Sequence, residues 1–557
     1  MTRSLTDSLD HLDQLKTQFG SNQSQIVGAL LSKVAAHKIT DADQLIRFHE
    51  LLLFLRAHPH NATIIKKTEA ILRSFPARVT ELLNFNSDLS ALEHPELSGV
   101  AGMSVTDTFT FPITCWLANR NPSQLTFYWD WFEDENRLGE IWPRFIPVLE
   151  EDSLVEANIP YREWLRKSRG KSAEVQWLLN RFDQLDLPED QKAQLYNAQK
   201  LYVSWRYAYR DSRTGLRRPT EKLFFHDGPM IRRRDVKFKD ELNMPASRLK
   251  KLSRSAGLAA IELALKASTV RYRELYGFTN GDAGSVCHTS LGRGVELDVI
   301  TLPAEKRLPL RAYHSAMIYK NGVPIGYFEG LSLFERMESG FNLYYTFRDG
   351  ETAWLYAQVL HVMRGLTGVS SFVLDPYQIG HENKEGIESG AFWFYRKLGF
   401  RSTRKAIQQL TEQEEIKIAT RNNYRTSATT LKKLATAPMI LELDETRSGD
   451  WDHFQVRNVG MTVQRLMASK FGGDAQRMRK KALNTVSRLL GLKENVPLDL
   501  AVVLLLIPNL NHWDEDDKSL LAQILRAKYE KDEGRYLRLM QRHERLRTEF
   551  LRLGETP

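Results

Sequence analysis

The sequence predicts a multidomain α+β chain in which a mixed β-sheet domain is embedded between largely α-helical N- and C-terminal regions. Three observations carry this expectation. At 557 residues the chain exceeds what one hydrophobic core fills, so several domains are expected. Apolar residues recur at helical spacing towards both ends. Between about residue 295 and residue 376 that period gives way to short β-branched and aromatic runs.

In chain order, residues 1–95 read as a helical domain, because IVGALLSKVAAH and LIRFHELLLFLRAH place apolar residues on one helical face. NFNSDLSALEHPELSGVAG is a Ser/Pro/Gly-containing connector. Residues 96–219 read as mainly helical and Trp-rich, as in FYWDWFEDE and SAEVQWLLNRF. A third domain is expected over 220–408. It opens with one long helix or two short ones from Pro245 to Phe278, interrupted near Gly257, with Pro245 in the first turn. The strands expected next are VELDVITL, RAYHSAMIYK, VPIGYFEGL and FNLYYTF, with Asn321-Gly322 as a two-residue hairpin turn between the second and third. Then come the turn Arg348-Asp349-Gly350-Glu351, the helix TAWLYAQVLHVMRGLTG, the strand SSFVLDP, and ESGAFWFYRKLGF as an amphipathic helix. That helix ends on cations and on Gly399 in a left-handed cap, and Phe400 starts another strand. A strand–helix–strand crossover implies parallel pairing on a sheet that begins antiparallel. Residues 409–557 read as mainly helical, with a mixed patch around APMILELDETRSGDWDHFQVRNVG and a charged amphipathic C-terminal helix or pair read as a solvated cap.

Composition excludes several classes. With 42% hydrophobic and 26% charged residues, long disorder is not expected. Two cysteines, Cys115 and Cys287, cannot build a disulfide scaffold and fit a reducing compartment. The apolar run Leu500–Pro508 is too short to span a bilayer, and the polar N-terminal stretch has no apolar signal core, so no membrane span and a cytoplasmic location are expected. The net charge of +9 equals the excess of one stretch, Leu201–Ser255, with 15 Lys/Arg against 6 Asp/Glu. YVSWRYAYR and IRRRDVKFK in that stretch have the pattern that grips phosphates and stacks bases, or that holds an anionic cofactor or acidic substrate. A solvated basic face over core aromatics explains the same residues. Cys287-His288, in the glycine-rich GFTNGDAGSVCHTSLGRG, is a poor nucleophile–base pair because adjacent residues rarely meet in those roles. His381-Glu382 lacks zinc spacing, and no metal is expected.

From Arg311 to about Arg404 the order of elements, and above all the Tyr-Arg-Lys-Leu-Gly-Phe ending of ESGAFWFYRKLGF, resembles the second half of the GNAT (N-acetyltransferase-like) acyltransferase fold. The resemblance implies acyl transfer from acetyl-CoA, another acyl-CoA or an acyl-carrier thioester to an amine-bearing small molecule or macromolecule, by direct attack on the thioester. It implies Tyr395 as general acid to the leaving thiolate, with Ala391 as the small residue one turn earlier. The family's cofactor turn reads Arg/Gln-x-x-Gly-x-Gly/Ala. Here Arg348 and Ala353 match its ends, Gly350 stands one position early, and Thr352 opens the helix, so these four are the implied cofactor-binding residues. Asp349 and Glu351 add negative charge beside the implied phosphate, where acids also serve as plain helix caps. Other residues, the basic stretch among them, would then carry the phosphates, or coenzyme A is not the donor. The family's asparagine two turns before the tyrosine is replaced by Glu388, with Asn383 further back. Candidate general bases are Glu329, Glu338 and His314, while Asn342 and Tyr344 are expected to face the cleft where two strands splay. Two alternatives stand beside this reading: a non-catalytic GNAT-like binding or scaffold protein, and an RNA-binding transferase that uses residues 201–255.

Overall fold

The computed structural model describes residues 4–84, 88–132, 136–146, 160–492 and 496–555; residues 85–87 of the expected connector and 133–135 of FYWDWFEDE lie outside them. Contacts group the chain into two compact units. The first comprises 1–229, 261–279 and 320–324, and the second 230–260, 280–319 and 325–557. The borders expected near 95, 219 and 408 therefore do not coincide with those of the units.

The first unit opens with helices Leu5–Leu15, Ser21–Ala36, Ala42–Ala57, Ala62–Arg73 and Phe75–Leu83. Their starts are written in the sequence: Ser4 and Asp7 form a capping box, and Asp41 and Asn61 accept from backbone N–H groups one turn on. Ala42–Ala57 is buried almost all round, from Leu51 through Ala57 without a break, which makes it the central helix. The region expected to be mainly helical contains a sheet instead. Strands β1 (Ser104–Asp107), β2 (Leu125–Phe127) and β3 (Val203–Arg206) pair antiparallel in the order β1-β3-β2. Strands of three or four residues are too short to show alternation in sequence. β3 lies inside YVSWRYAYR, and Trp205 and Tyr207 are 0% and 2% exposed, so these aromatics are core and not a stacking surface. The neighbouring arginines turn inward as well. Arg213 donates to both oxygens of Glu50 at 3.1 and 2.8 Å, and Arg217 reaches Glu69 at 3.1 Å. Burial alone would raise the Glu50 pKa, but Arg213 and His49 outweigh it and hold the carboxyl well below its usual range.

The second unit is built on strands β4 (Lys250–Lys251), β5 (Cys287–Gly292), β6 (Val295–Thr301), β7 (Ala312–Lys320), β8 (Val323–Leu333), β9 (Arg336–Leu343), β10 (Ser371–Leu374), β11 (Arg401–Ser402) and β12 (Met439–Glu442). Their spatial order is β11-β12-β10-β9-β8-β7-β6-β5-β4. β8 and β9 pair antiparallel, β9 and β10 parallel across the crossover helix Thr352–Thr367, and β10, β12 and β11 antiparallel again. Asn321 and Gly322 turn β7 into β8 with φ of +48° and +79°, as the dipeptide predicts.

Four expectations need correction. The glycine-rich stretch around Cys287 is not a loop: β5 pairs with β6, and alternation sends Cys287 and His288 to opposite faces, where the His288 Nδ1 lies 2.9 Å from Asp298. FNLYYTF is only the end of a strand. β9 starts at Arg336, after a turn in which Phe334 holds φ +52° with its ring packed between Trp451 and Phe550, and Tyr345–Phe347 is a 3-10 turn. Pro245 lies outside the helix, which runs Arg254–Thr269. ESGAFWFYRKLGF spans the end of one short helix, Lys384–Glu388, and the whole of another, Ala391–Arg396, because Gly390 takes φ +68° between them. Gly399 does take the expected left-handed conformation, φ +103°.

The C-terminal helices are not a solvated cap. Tyr536, Leu537, Met540 and Phe550 join Phe334 and Trp451 in one core, and Arg547 Nε donates to buried Glu335 at 2.7 Å. Among the described residues no helix is long and apolar enough to cross a membrane.

Candidate functional site

The parallel pair is short. β10 matches β9 only at Arg336–Ser371, Met337–Phe372 and Glu338–Val373, after which β9 continues to Leu343 while β10 stops at Leu374. Asp375-Pro376 causes the stop: proline has no N–H for the ladder, and the Asp375 carboxylate accepts from Tyr377 N–H at 2.8 Å to cap the turn Pro376–Ile379. From Gly340 to Leu343, β9 therefore has no strand partner on this side among the described residues. The result is a notch at the carboxyl ends of two parallel strands, the place where sheets of this kind accept ligands.

One face of the notch follows from register. Alternation puts Glu338, Gly340 and Asn342 on the more open face of β9, with Leu331, Glu329 and Tyr327 opposite them on β8. A Cβ at Gly340 would meet Gln378 Nε2 at 3.8 Å and Glu329 at 3.7 Å or more, so this position is open. The Oδ1 of Asn342 is shielded from water and has no hydrogen-bond partner among the described residues, which leaves a buried acceptor facing a cost until a donor arrives. Tyr313 on β7 donates its hydroxyl to Glu329. Burial pushes the Glu329 pKa up and the Tyr313 hydrogen bond partly restrains it, the direction that suits a general base.

The other two proposed bases differ. Glu338 has Arg311 Nη1 at 3.4 Å and Arg336 Nη1 at 3.7 Å, and so acts as a counter-ion. His314 follows Tyr313 on the same strand and so faces the opposite side of the sheet. It is 1% exposed, its Nδ1 has no hydrogen-bond partner among the described residues, and burial lowers its pKa. The structure does not bring His314 to the notch.

Tyr395 approaches from that opposite face too. Ser339 Oγ lies 3.0 Å from the Tyr356 hydroxyl on the crossover helix, and the Tyr395 ring sits edge-on to Tyr356 at 5.6 Å and to Phe400 at 5.9 Å. Burial pushes the Tyr395 phenol well above its usual pKa, and the Arg348 charge pulls it part of the way back. Arg348 also donates to Leu343 O at 3.0 Å and pairs with Glu385 at 2.5 Å, tying the turn after β9 to the helix after β10. Glu329 with Asn342 and Tyr395 with Arg348 thus lie on opposite faces of β9, and the unpaired stretch of that strand separates them.

In the turn, Gly350 N–H donates to Phe347 O at 3.1 Å, the Thr352 hydroxyl to Arg348 O at 3.0 Å, and Ala353 is buried in the first turn of the crossover helix. Glu351 occupies the cap position, yet its side chain makes no cap hydrogen bond. Its carboxylate instead accepts from Ile231 N–H at 3.0 Å and Arg293 Nε at 3.1 Å. This anchors IRRRDVKFK beside the crossover helix with Arg232, Arg233 and Arg234 exposed. No local signal in the sequence points to the Glu351–Arg293 pair, since 58 positions separate the two. Asn383 caps the helix Lys384–Glu388 by accepting from Gly386 N–H at 3.1 Å, and Glu388 pairs with Lys384 at 3.6 Å. Comparison of the chain with family models, with curated proteins and with solved structures finds no match.

Proposed function

We propose that the second unit is a GNAT-like acyltransferase that moves an acyl group from an acyl-CoA or acyl-carrier thioester to an amine. The observation that carries this reading is the notch itself: an unpaired strand edge with a buried, unsatisfied acceptor on one face and a phenol coupled to an arginine on the other. Free N–H and C=O groups at 340–343 suit an extended, amide-bearing donor arm, which would add to the edge as a further strand does. The N-terminal end of the crossover helix, with Arg232–Arg234 beside it, suits the donor's phosphates. In this reading Asn342 Oδ1 holds one N–H of the acceptor amine and Glu329 takes its proton. The nitrogen bonds to the thioester carbon, the C–S bond breaks, and Tyr395 returns a proton to the sulfur. A phenol with a raised pKa is a weak acid, so the nearby Arg348 charge is needed to stabilise the phenolate as it forms.

One observation favours the non-catalytic alternative: Arg348 is already engaged by Leu343 O and Glu385, which leaves the degenerate turn short of a free cation. Two measurements separate the readings. A donor at a hundred times its Kd stabilises the protein by about 2.7 kcal/mol, visible as a melting shift with coenzyme A or acyl derivatives. Thiol release in the presence of amines then reports transfer. A shift without release favours the binding protein. No shift across a panel of acyl chains removes the acyltransferase.

A further inference from the structure

A second surface of this unit carries charge that the fold leaves unmatched. Helices Val456–Phe471 and Ala475–Leu490 are joined by Gly472, Gly473 and Asp474, the glycines in left-handed conformation at φ +62° and +82°. Between Val456 and Gly491 stand eight Lys/Arg and a single carboxylate, Asp474. That carboxylate is used locally, accepting from Arg477 N–H at 2.9 Å to cap the second helix. The cations of the first helix are Arg457, Arg465 and Lys470, and those of the second are Arg477, Arg479, Lys480, Lys481 and Arg488, all exposed. None of the eight pairs with a carboxylate among the described residues. Like charges three and four positions apart, as in Arg477, Lys480 and Lys481, weaken a helix. A partner that supplies the missing negative charge turns this cost into affinity.

The chemistry of that partner follows from what the hairpin lacks. Its apolar side is occupied: Met478, Ala482 and Val486 are buried, and Val463, Met467 and Phe471 pack on the C-terminal core. A helix that binds a lipid surface needs that side free. Neither helix carries Trp or Tyr, and its one Phe is half-buried, so the stacking platforms that hold single strands are missing. What remains is a rigid row of cations. Arg477, Lys481 and Arg488 share one face over about 16 Å of helix, roughly five phosphate steps of one duplex strand. Beside the row, an open cavity of about 620 Å³ is lined by Lys481, Thr485, Arg488, Asn509 and Asn511, which adds amide and hydroxyl donors for phosphate oxygens.

We propose that the helical hairpin Val456–Leu490 is a binding surface for duplex nucleic acid, gripping the phosphate backbone without reading sequence. The test uses the full chain and a short fluorescent duplex, as DNA and as RNA, with anisotropy read between about 50 and 200 mM salt. Log affinity is expected to fall linearly with log salt by about 0.9 per phosphate contact, and Arg477→Gln/Lys481→Gln/Arg488→Gln should flatten the slope by about 3 and weaken binding at least tenfold. Should that triple variant melt early, Arg477→Gln and Arg488→Gln taken singly should each flatten the slope by about 1. Arg477→Lys/Arg488→Lys should bind as the parent does. Equal slopes for parent and triple variant overturn the proposal, as does a slope carried instead by Arg232, Arg233 and Arg234. Tighter binding to the matching single strand, or to phosphatidylserine vesicles, overturns it as well.

Discussion

Residues 201–217 of the first unit and 456–491 of the second are both rich in arginine and lysine, yet the fold treats them in opposite ways. In the first, Arg213 and Arg217 are matched inside the unit by Glu50 and Glu69, and the interleaved aromatics are core. In the second, eight cations face water with one carboxylate among them. The notch shows the same contrast in miniature, where Tyr313 satisfies Glu329 and nothing satisfies Asn342 Oδ1. Charge composition counts these groups alike. The partner each finds separates those that hold the structure together from those left available to a ligand.

If that division is correct, removing a matched group costs stability and removing an unmatched one costs only function. The largest effect is expected at Arg213. Arg213→Met leaves Glu50 buried without its counter-charge and should destabilise the first unit by about 3–5 kcal/mol, read as an early urea transition. Arg477→Gln should move either transition by no more than about 0.5 kcal/mol. Because the folded Glu50 pKa lies below its ordinary value of 4.5, its contribution is present above that pH and fades as pH falls further. The Arg213→Met/Glu50→Gln pair should therefore lose less stability on acidification than the parent.

Tyr395→Phe comes next. It keeps the ring against Tyr356 and Phe400 and should slow acyl transfer roughly a hundredfold, with no more than about 1–1.5 kcal/mol lost from stability. Full activity in that variant, with a lowered melting temperature, would make Tyr395 a structural residue.

Asn342→Leu sharpens the contrast further. Replacing a buried acceptor that has no donor by an apolar group of similar shape should leave stability unchanged or raise it by about 1 kcal/mol, while acyl transfer falls. A clear loss of stability would show that the amide is matched after all. The smallest expected effect is at Tyr313. Its hydrogen bond restrains the Glu329 pKa, so Tyr313→Phe should move the acidic limb of the pH–rate profile to higher pH while leaving the plateau in place.

Much of the sheet in the second unit was legible in the sequence. Asn321-Gly322 fixed one hairpin, and the strand–helix–strand order fixed the parallel pair, because both signals are local. The turn at Phe334 was not legible, since a phenylalanine at positive φ is held there by Trp451 and Phe550, residues far along the chain. β5 was hidden by its glycines, and β1 to β3 by their length. At the candidate site, the positions of the Arg348 turn and of Tyr395 could be read from motif order. The face each strand residue takes could not, because a shift of one position exchanges His314 for Tyr313. Nor could the Glu351–Arg293 pair or the vacancy at Asn342, which exist only once distant segments meet.

The interleaving of the two units has a consequence for how the chain is made. The first unit includes residues 261–279 and 320–324, so it is incomplete when residue 229 leaves the ribosome. Glu274, which accepts from both the backbone N–H and the hydroxyl of Thr110, is among the late arrivals. At about 5–20 residues per second, the 95 residues from 229 to 324 take roughly 5–20 s to emerge. Through that interval the N-terminal helices wait with part of their core unfilled. A pause in translation within this window would prolong the exposure, whereas one before residue 229 would not, so synonymous codon choice can alter the yield of folded protein without changing a single amino acid.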